Sequence, residues 1–193
     1  MTDLATELQV RAGALSDIIQ YIEYLKPEGL PDFDKTPAQH HRLMAQELND
    51  LAANIHDRTA ISEPPGSAKS FYCSIVYPTF EVARDPTQNI LALSASENLG
   101  ENFSRRRRQI LLSERWQKLS STSLTADAQS LVYQGTKEGG GIRTAGAGSI
   151  IQGFRADVLI ADDLVAGHEQ AGNLAQLDKI WNWYISEARA RLR

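Results

Sequence analysis

Two short runs, "NILALSAS" at residues 89–96 and "ADVLIADD" at residues 156–163, restrict the fold of this chain more than any other feature. Each contains a continuous apolar stretch of strand length, the pattern of a parallel strand buried on both faces rather than of a half-exposed one. Helical spacing fills the stretches around them. Residues 96–112 read as a helix, as do residues 38–56, where Leu43, Met44, Leu48 and Leu51 recur at helical intervals. A third helix starts at Lys69 and meets an interruption at Pro78. "RTAIS" before it and "SLVYQGT" at residues 130–136 read as further short strands, and "KEGGGIRTAGAGSIIQGF" as a glycine-rich loop. Strands alternating with helices predict an α/β domain whose mainly parallel central sheet is flanked by helices.

The two ends add helices. Residues 4–25 carry an apolar helical period broken at Gly13, one or two helices' worth, and Pro27, Pro31 and Pro37 around Gly29 then mark a linker. This makes residues 1–35 an N-terminal helical segment and residues 36–193 the main domain. Leu174, Leu177, Ile180, Trp181, Tyr184, Ile185 and Ala188 form a last apolar stripe, with Trp181, Trp183 and Tyr184 expected in helix packing and core.

Bulk composition excludes several function classes. With 193 residues, 42% hydrophobic and 23% charged, the chain has the size and make-up of one globular domain. A lone cysteine, Cys73, rules out an internal disulfide, and no apolar run approaches the ~18 residues of a membrane span, so a soluble intracellular protein is expected. A net charge of -4 gives no global attraction to nucleic acid. The one local basic patch, Arg105 to Arg108, spreads around a helix and suits a solvated surface at least as well as DNA phosphate. His40, His41, His56 and His168 show no metal-ligand spacing with Cys73 or one another.

Chemistry concentrates in "ISEPPGSAKS" at residues 61–70. A phosphate-binding loop reads G-x-x-x-x-G-K-[ST]; Lys69 and Ser70 keep its end, but Glu63 and Ala68 replace the two glycines. Such a loop works by aiming backbone N–H groups and a helix N-terminus at phosphate, and a strand-turn-helix context is what it needs. Ala68 is the weak point, because a left-handed backbone there costs an L-residue about 1 kcal/mol. The acids that end "ADVLIADD", Asp162 and Asp163, supply a metal-binding carboxylate and a base at the carboxyl end of a core strand, where ligands sit in open α/β sheets.

Taken in order, "TPAQHHRLMAQELNDLA", "PPGSAKS", "NILALSASENLGENFSRRRRQIL", "GAGSIIQGFRADVLIADDLVAGHEQA" and "WNWYISEARARL" resemble the ATPase domain of large terminase subunits, the DNA-packaging motors of tailed bacteriophages. The resemblance covers roughly residues 36–193 and implies a P-loop NTPase fold of the ASCE type, ATP and Mg²⁺ as ligands, and hydrolysis that drives double-stranded DNA into a procapsid. Position by position, Pro65, Gly66, Ser67 and Ala68 match the cradle, with Lys69 and Ser70 after them. Ser70 and Asp162 match the metal-binding residues, Asp163 the catalytic acid, and Gln39 the adenine contact. Arg155 and Arg143 are the candidates for the arginine that acts on the transferring phosphate, in cis or in trans.

Further implications are a ring of subunits at the portal in the host cytoplasm, a small terminase subunit and the portal protein as partners, and a separate nuclease domain that this chain lacks. The ATPase fold itself is expected to continue past Arg193. Two other readings fit the same residues: a different P-loop nucleic-acid motor such as a helicase, and a degenerate P-loop fold that serves as a non-catalytic scaffold.

Overall fold

A computed structural model describes residues 4–193, with the side chains of residues 168 and 169 outside the described part. Helices α1 (Leu4–Ala14) and α2 (Ile18–Leu25) are followed by a short 3₁₀ turn (Lys26–Glu28) and by α3 (Gln39–Ala52). A π-helical segment (Phe71–Val76) runs directly into α4 (Tyr77–Arg84), then come β1 (Asn89–Ser94), α5 (Glu97–Leu111) and α6 (Glu114–Ser120). Strands β2 (Leu124–Gln129), β3 (Tyr133–Thr136), β4 (Gly141–Gly146) and β5 (Val158–Asp162) precede α7 (Gly167–Ala171) and α8 (Leu174–Trp183). None of the described helices is long and apolar enough to cross a membrane.

Helix starts follow side-chain chemistry. Asp17, Ser96, Ser113 and Asn173 each accept the backbone N–H three residues on, capping α2, α5, α6 and α8. Ala38 has no such oxygen, and its own N–H donates instead to His41 Nδ1 at 3.0 Å.

The sheet order is β2-β3-β4-β1-β5. Strand β1 lies between β4 and β5 and is parallel to both, while β3 pairs antiparallel with β4 and β2 antiparallel with β3. The sheet is therefore mixed, not mainly parallel. Its parallel part is the middle, and there Ser94 is level with both Gly146 and Asp162. Because the chain leaves β1 for one side and returns on the other, the crevice at these carboxyl ends is a topological switch point.

Strand β1 alternates cleanly. Ile90 and Ala92 join the large core formed with α2 to α6, and Leu91 and Leu93 join a smaller one with Ile151, Ala156 and Ala188 on the opposite face. Helix α2 belongs to the large core: Tyr21 packs edge-on against Phe80 and donates to Thr79 Oγ1, and Trp116 Nε1 donates to the Thr79 carbonyl.

Four expectations need correction. The glycine-rich stretch is no loop along its length, since Gly141–Gly146 is the central strand β4. Its small residues serve a close approach: a Cβ on Gly100 of α5 would stand 2.7 Å from Thr144 Cγ2, and one on Gly146 would stand 2.7 Å from the Glu97 nitrogen. "RTAIS" forms no strand, and Thr59 and Ile61 instead line a groove beside Leu159 to Asp163. With one edge unpaired among the described residues, β5 is mostly half-buried and only Asp162 is buried. On α8, Trp181 is 61% exposed, whereas Trp183 and Tyr184 do pack against the small core.

Pro78 does not break its helix. It sits in the first turn of α4, after the π-helical segment has closed with the Tyr77 N–H donating to the Tyr72 carbonyl. Proline has no N–H to offer the carbonyl four residues back, which is that of Ser74. Arg107 of α5 fills the vacancy, donating from Nη1 to Ser74 O at 2.6 Å and from Nη2 to Thr144 Oγ1 at 2.6 Å. Replacing Arg107 by Met orphans that carbonyl, and Pro78→Ala gives it a local donor. In a double-mutant cycle by urea denaturation, Pro78→Ala is expected to be more favourable in the Arg107→Met background than in wild type, by about 1 kcal/mol.

Candidate nucleotide site

Residues Pro64 to Tyr72 wrap one side of a cavity of about 390 Å³ at the start of the helix. Ile22, Asp32, Lys35, His41, Arg106 and Asp163 complete it. Gly66 (φ 83°) and Ala68 (φ 61°) are both left-handed, so the loop takes the backbone that glycine would favour at Ala68 as well. The Tyr72 N–H donates to Ala68 O at 3.1 Å, which places the first helical turn immediately after the loop. The N–H groups of such a turn have no partner within the helix and favour an anion.

Ser67 is buried, and its Oγ has no hydrogen-bond partner among the described residues. A buried orphan hydroxyl within a concave loop fits a ligand with acceptor oxygens.

Lys69 reaches across from the loop to the end of β5. Its Nζ lies 3.2 Å from Asp163 Oδ1, the Lys69 side chain 21% exposed and the Asp163 side chain 64%. Asp163 is itself left-handed at φ 45°, a second strained backbone at the same place. Asp162 is turned the other way: it is 5% exposed and its Oδ2 accepts from Ser74 Oγ at 2.7 Å. Ser70 lines the loop cavity, Asp162 lines the neighbouring groove, and the two spaces meet at Lys69 and Asp163.

Among the described residues no group of three or more His, Cys, Asp or Glu side chains could hold a metal unaided. The hydroxyl of Ser70 and the carboxylate of Asp162 are oxygen donors of the type Mg²⁺ takes, its shell commonly holding one or two carboxylates with water and substrate phosphate.

Two histidines flank the loop. His41 stacks on Tyr72 at 5.3 Å between ring centroids, and the rings of His40 and His41 are 3.9 Å apart. Burial holds the His41 pKa below its usual value, reinforced by His40. A neutral ring suits a Nδ1 that accepts the Ala38 N–H.

Not all expected residues converge here. Gln39 starts α3 and is exposed, and it is not among the residues lining the cavity; His41, two positions on, is. Arg143 lies on β4 with its guanidinium 5.6 Å from the centre of the Phe154 ring, on the sheet face of the small core and away from the loop helix. Arg155 is exposed, and the Asp157 beside it is held by Arg193 at 2.6 and 2.8 Å. Neither arginine lines the cavity; the cations that do are Lys35, Lys69 and Arg106.

The arginine run splits four ways. Arg105 is exposed beside Glu101, Arg106 faces the cavity, Arg107 is buried and Arg108 is exposed. Arg107 shares the buried face of α5 with Ser104, Ile110 and Leu111.

The sequence matches no family model, and no curated protein matches it either.

Two outcomes follow from the loop. Ala68→Gly removes the left-handed penalty and is expected to raise stability by about 1 kcal/mol, a shift of roughly 2–4 °C in Tm by calorimetry. Cys73, one turn into the helix, has its thiol pushed up to about 12, first by burial and then by Asp162. Iodoacetamide at pH 8 should modify the folded chain at least about 100-fold more slowly than the urea-unfolded chain. Since only the unfolded thiol ionises as pH rises from the usual 9.0 toward about 12, Cys73 opposes folding across that window.

Proposed function

We propose that this chain binds Mg-ATP in the Pro64–Tyr72 cavity and hydrolyses it, and that the hydrolysis drives translocation of double-stranded DNA, as in the large terminase subunits it resembles. The observation that carries the reading is the Lys69–Asp163 ion pair, 3.2 Å across the mouth of a left-handed loop at a sheet switch point. It joins the two motifs that the sequence keeps 94 positions apart. A P-loop NTPase fold is the architecture in which that juxtaposition has a use, and the α/β sheet with flanking helices is compatible with it.

In this reading the loop N–H groups and Ser67 Oγ take phosphate oxygens, and Lys69 exchanges Asp163 for phosphate. The released Asp163 is then free to orient a water and accept its proton. Ser70 and Asp162 would hold Mg²⁺, which when bound neutralises charge on the phosphates. Ser74 keeps the Asp162 carboxylate in one orientation by donating to one of its oxygens. The expected partners are double-stranded DNA, a small terminase subunit and a portal protein, with subunits assembled as a ring. Arg143 or Arg155, both remote from the cavity of their own chain, would then act on a neighbouring subunit.

Calorimetry tests the binding step. Wild type is expected to bind Mg-ATP, Lys69→Ala to lose about ten-fold or more in affinity, and Asp163→Asn to bind but lose hydrolysis by about 100-fold or more. Hydrolysis that rises with protein concentration and with added linear double-stranded DNA supports the assembled motor. Failure of the folded wild type to bind Mg-ATP would sink this reading in favour of a scaffold.

A further inference from the structure

The loop cavity has a second charged wall. Arg106 of α5 lies opposite the loop, its guanidinium 5.5 Å from the centre of the Phe71 ring. Its Nη2 donates to the Pro31 carbonyl at 3.1 Å and to Asp32 Oδ2 at 2.7 Å. Lys35 pairs with the other oxygen of the same carboxylate. Asp32 is held by a turn in which its own backbone is left-handed (φ 71°), and its side chain is only 33% exposed.

Charge around the cavity is thus closed in on itself. Among the described residues three cations line it, Lys35, Lys69 and Arg106, and each is paired with one of two acids, Asp32 or Asp163. Carboxylates and phosphates compete for the same donors, and arginine binds both in bidentate fashion. A polyphosphate entering between the loop and α5 would meet cations already oriented by an internal anion on either side.

We infer that Arg106, assisted by Lys35, is a phosphate-binding wall of this site, and that Asp32 is its internal competitor, displaced when a polyphosphate chain enters. The inference rests on the nucleotide reading of the cavity and adds to it a cation from outside the loop. Displacement of Asp32 also ties the segment between α2 and α3 to occupancy, because Arg106 holds both Asp32 and the Pro31 carbonyl. Two cations then shift from Asp32 to the ligand.

The test is calorimetric titration of the full chain with Mg-ATP and, separately, with inorganic tripolyphosphate, on wild type, Arg106→Gln, Asp32→Asn and Lys69→Ala. Asparagine tolerates the left-handed backbone, so Asp32→Asn keeps the turn while removing the competing charge. Arg106→Gln is expected to weaken both ligands about ten-fold or more, and Asp32→Asn to tighten both several-fold. Opposite signs from two members of one ion pair are not what loss of structure produces.

Unchanged affinity in Arg106→Gln overturns the inference, and so does unchanged or weaker affinity in Asp32→Asn. If Arg106→Gln fails to fold, the Asp32→Asn result decides alone. Tripolyphosphate binding that depends on Arg106, without Mg-ATP binding, keeps the wall and overturns the nucleotide reading. Mg-ATP binding that depends on Lys69 but not on Arg106 does the reverse, and binding of neither ligand overturns both.

Discussion

Ser74 is the point on which the site and the packing both depend. Its carbonyl, which proline four residues on cannot satisfy, accepts from Arg107; its hydroxyl donates to Asp162. One residue in the π-helical segment therefore joins α5, through Arg107 also β4, and the end of β5. Arg107 is 1% exposed and forms no ion pair among the described residues. Burial pushes its guanidinium down to about 9, which still leaves it charged at neutral pH. A buried cation held only by a carbonyl and a hydroxyl is costly, and it persists where the surrounding backbone needs its donors. Here the need is created by Pro78.

The π-helical segment is part of the same arrangement. A π turn inserts a residue and rotates the side chains after it, and such turns recur at functional sites. In this chain it lies between the loop and Pro78. Only Lys69 and Ser70 separate it from the left-handed Ala68. The strain at the site is local: Ala68 and Asp163 are both left-handed, and they flank the two ends of the Lys69–Asp163 bridge. Strained positions of this kind hold only when the surrounding structure over-determines them. Here β5, the helix start and the bridge itself do so.

Electrostatically, each cation of the cavity is paired with one of its own acids. Asp32 is held below its ordinary carboxylate value, first by the hydrogen bond from Lys35 and then by the charge of Arg106. Since a depressed carboxylate is stabilising above its unfolded pKa and loses that contribution as pH falls through the folded value, the turn at Asp32 is secured at neutral pH and weakened by acid. The pairs that stabilise the site are the same ones an anionic ligand must exchange. Recognition and stability therefore draw on one small set of charges.

Much of this was legible in the residues themselves. The uninterrupted apolar run of β1, the helical period of α5, the left-handed requirement at Ala68 and the acid pair at the end of β5 all follow from local rules of period and backbone sterics, which act over a few positions. The glycine-rich strand β4 was not legible as a strand. Gly146 reports the closeness of α5 and Gly141 that of the neighbouring β3, and the first of these is a contact with Glu97, distant in the chain. Nor did the pattern distinguish Arg106 from Arg107, adjacent and chemically identical. A 100° step around α5 carries one into the core beneath Ser74 and leaves the other facing the loop. Sequence alone determined which short elements form and which residue types can bind phosphate. Only the tertiary structure decided which cations meet there, because that depends on how helices from distant parts of the chain are rotated against one sheet.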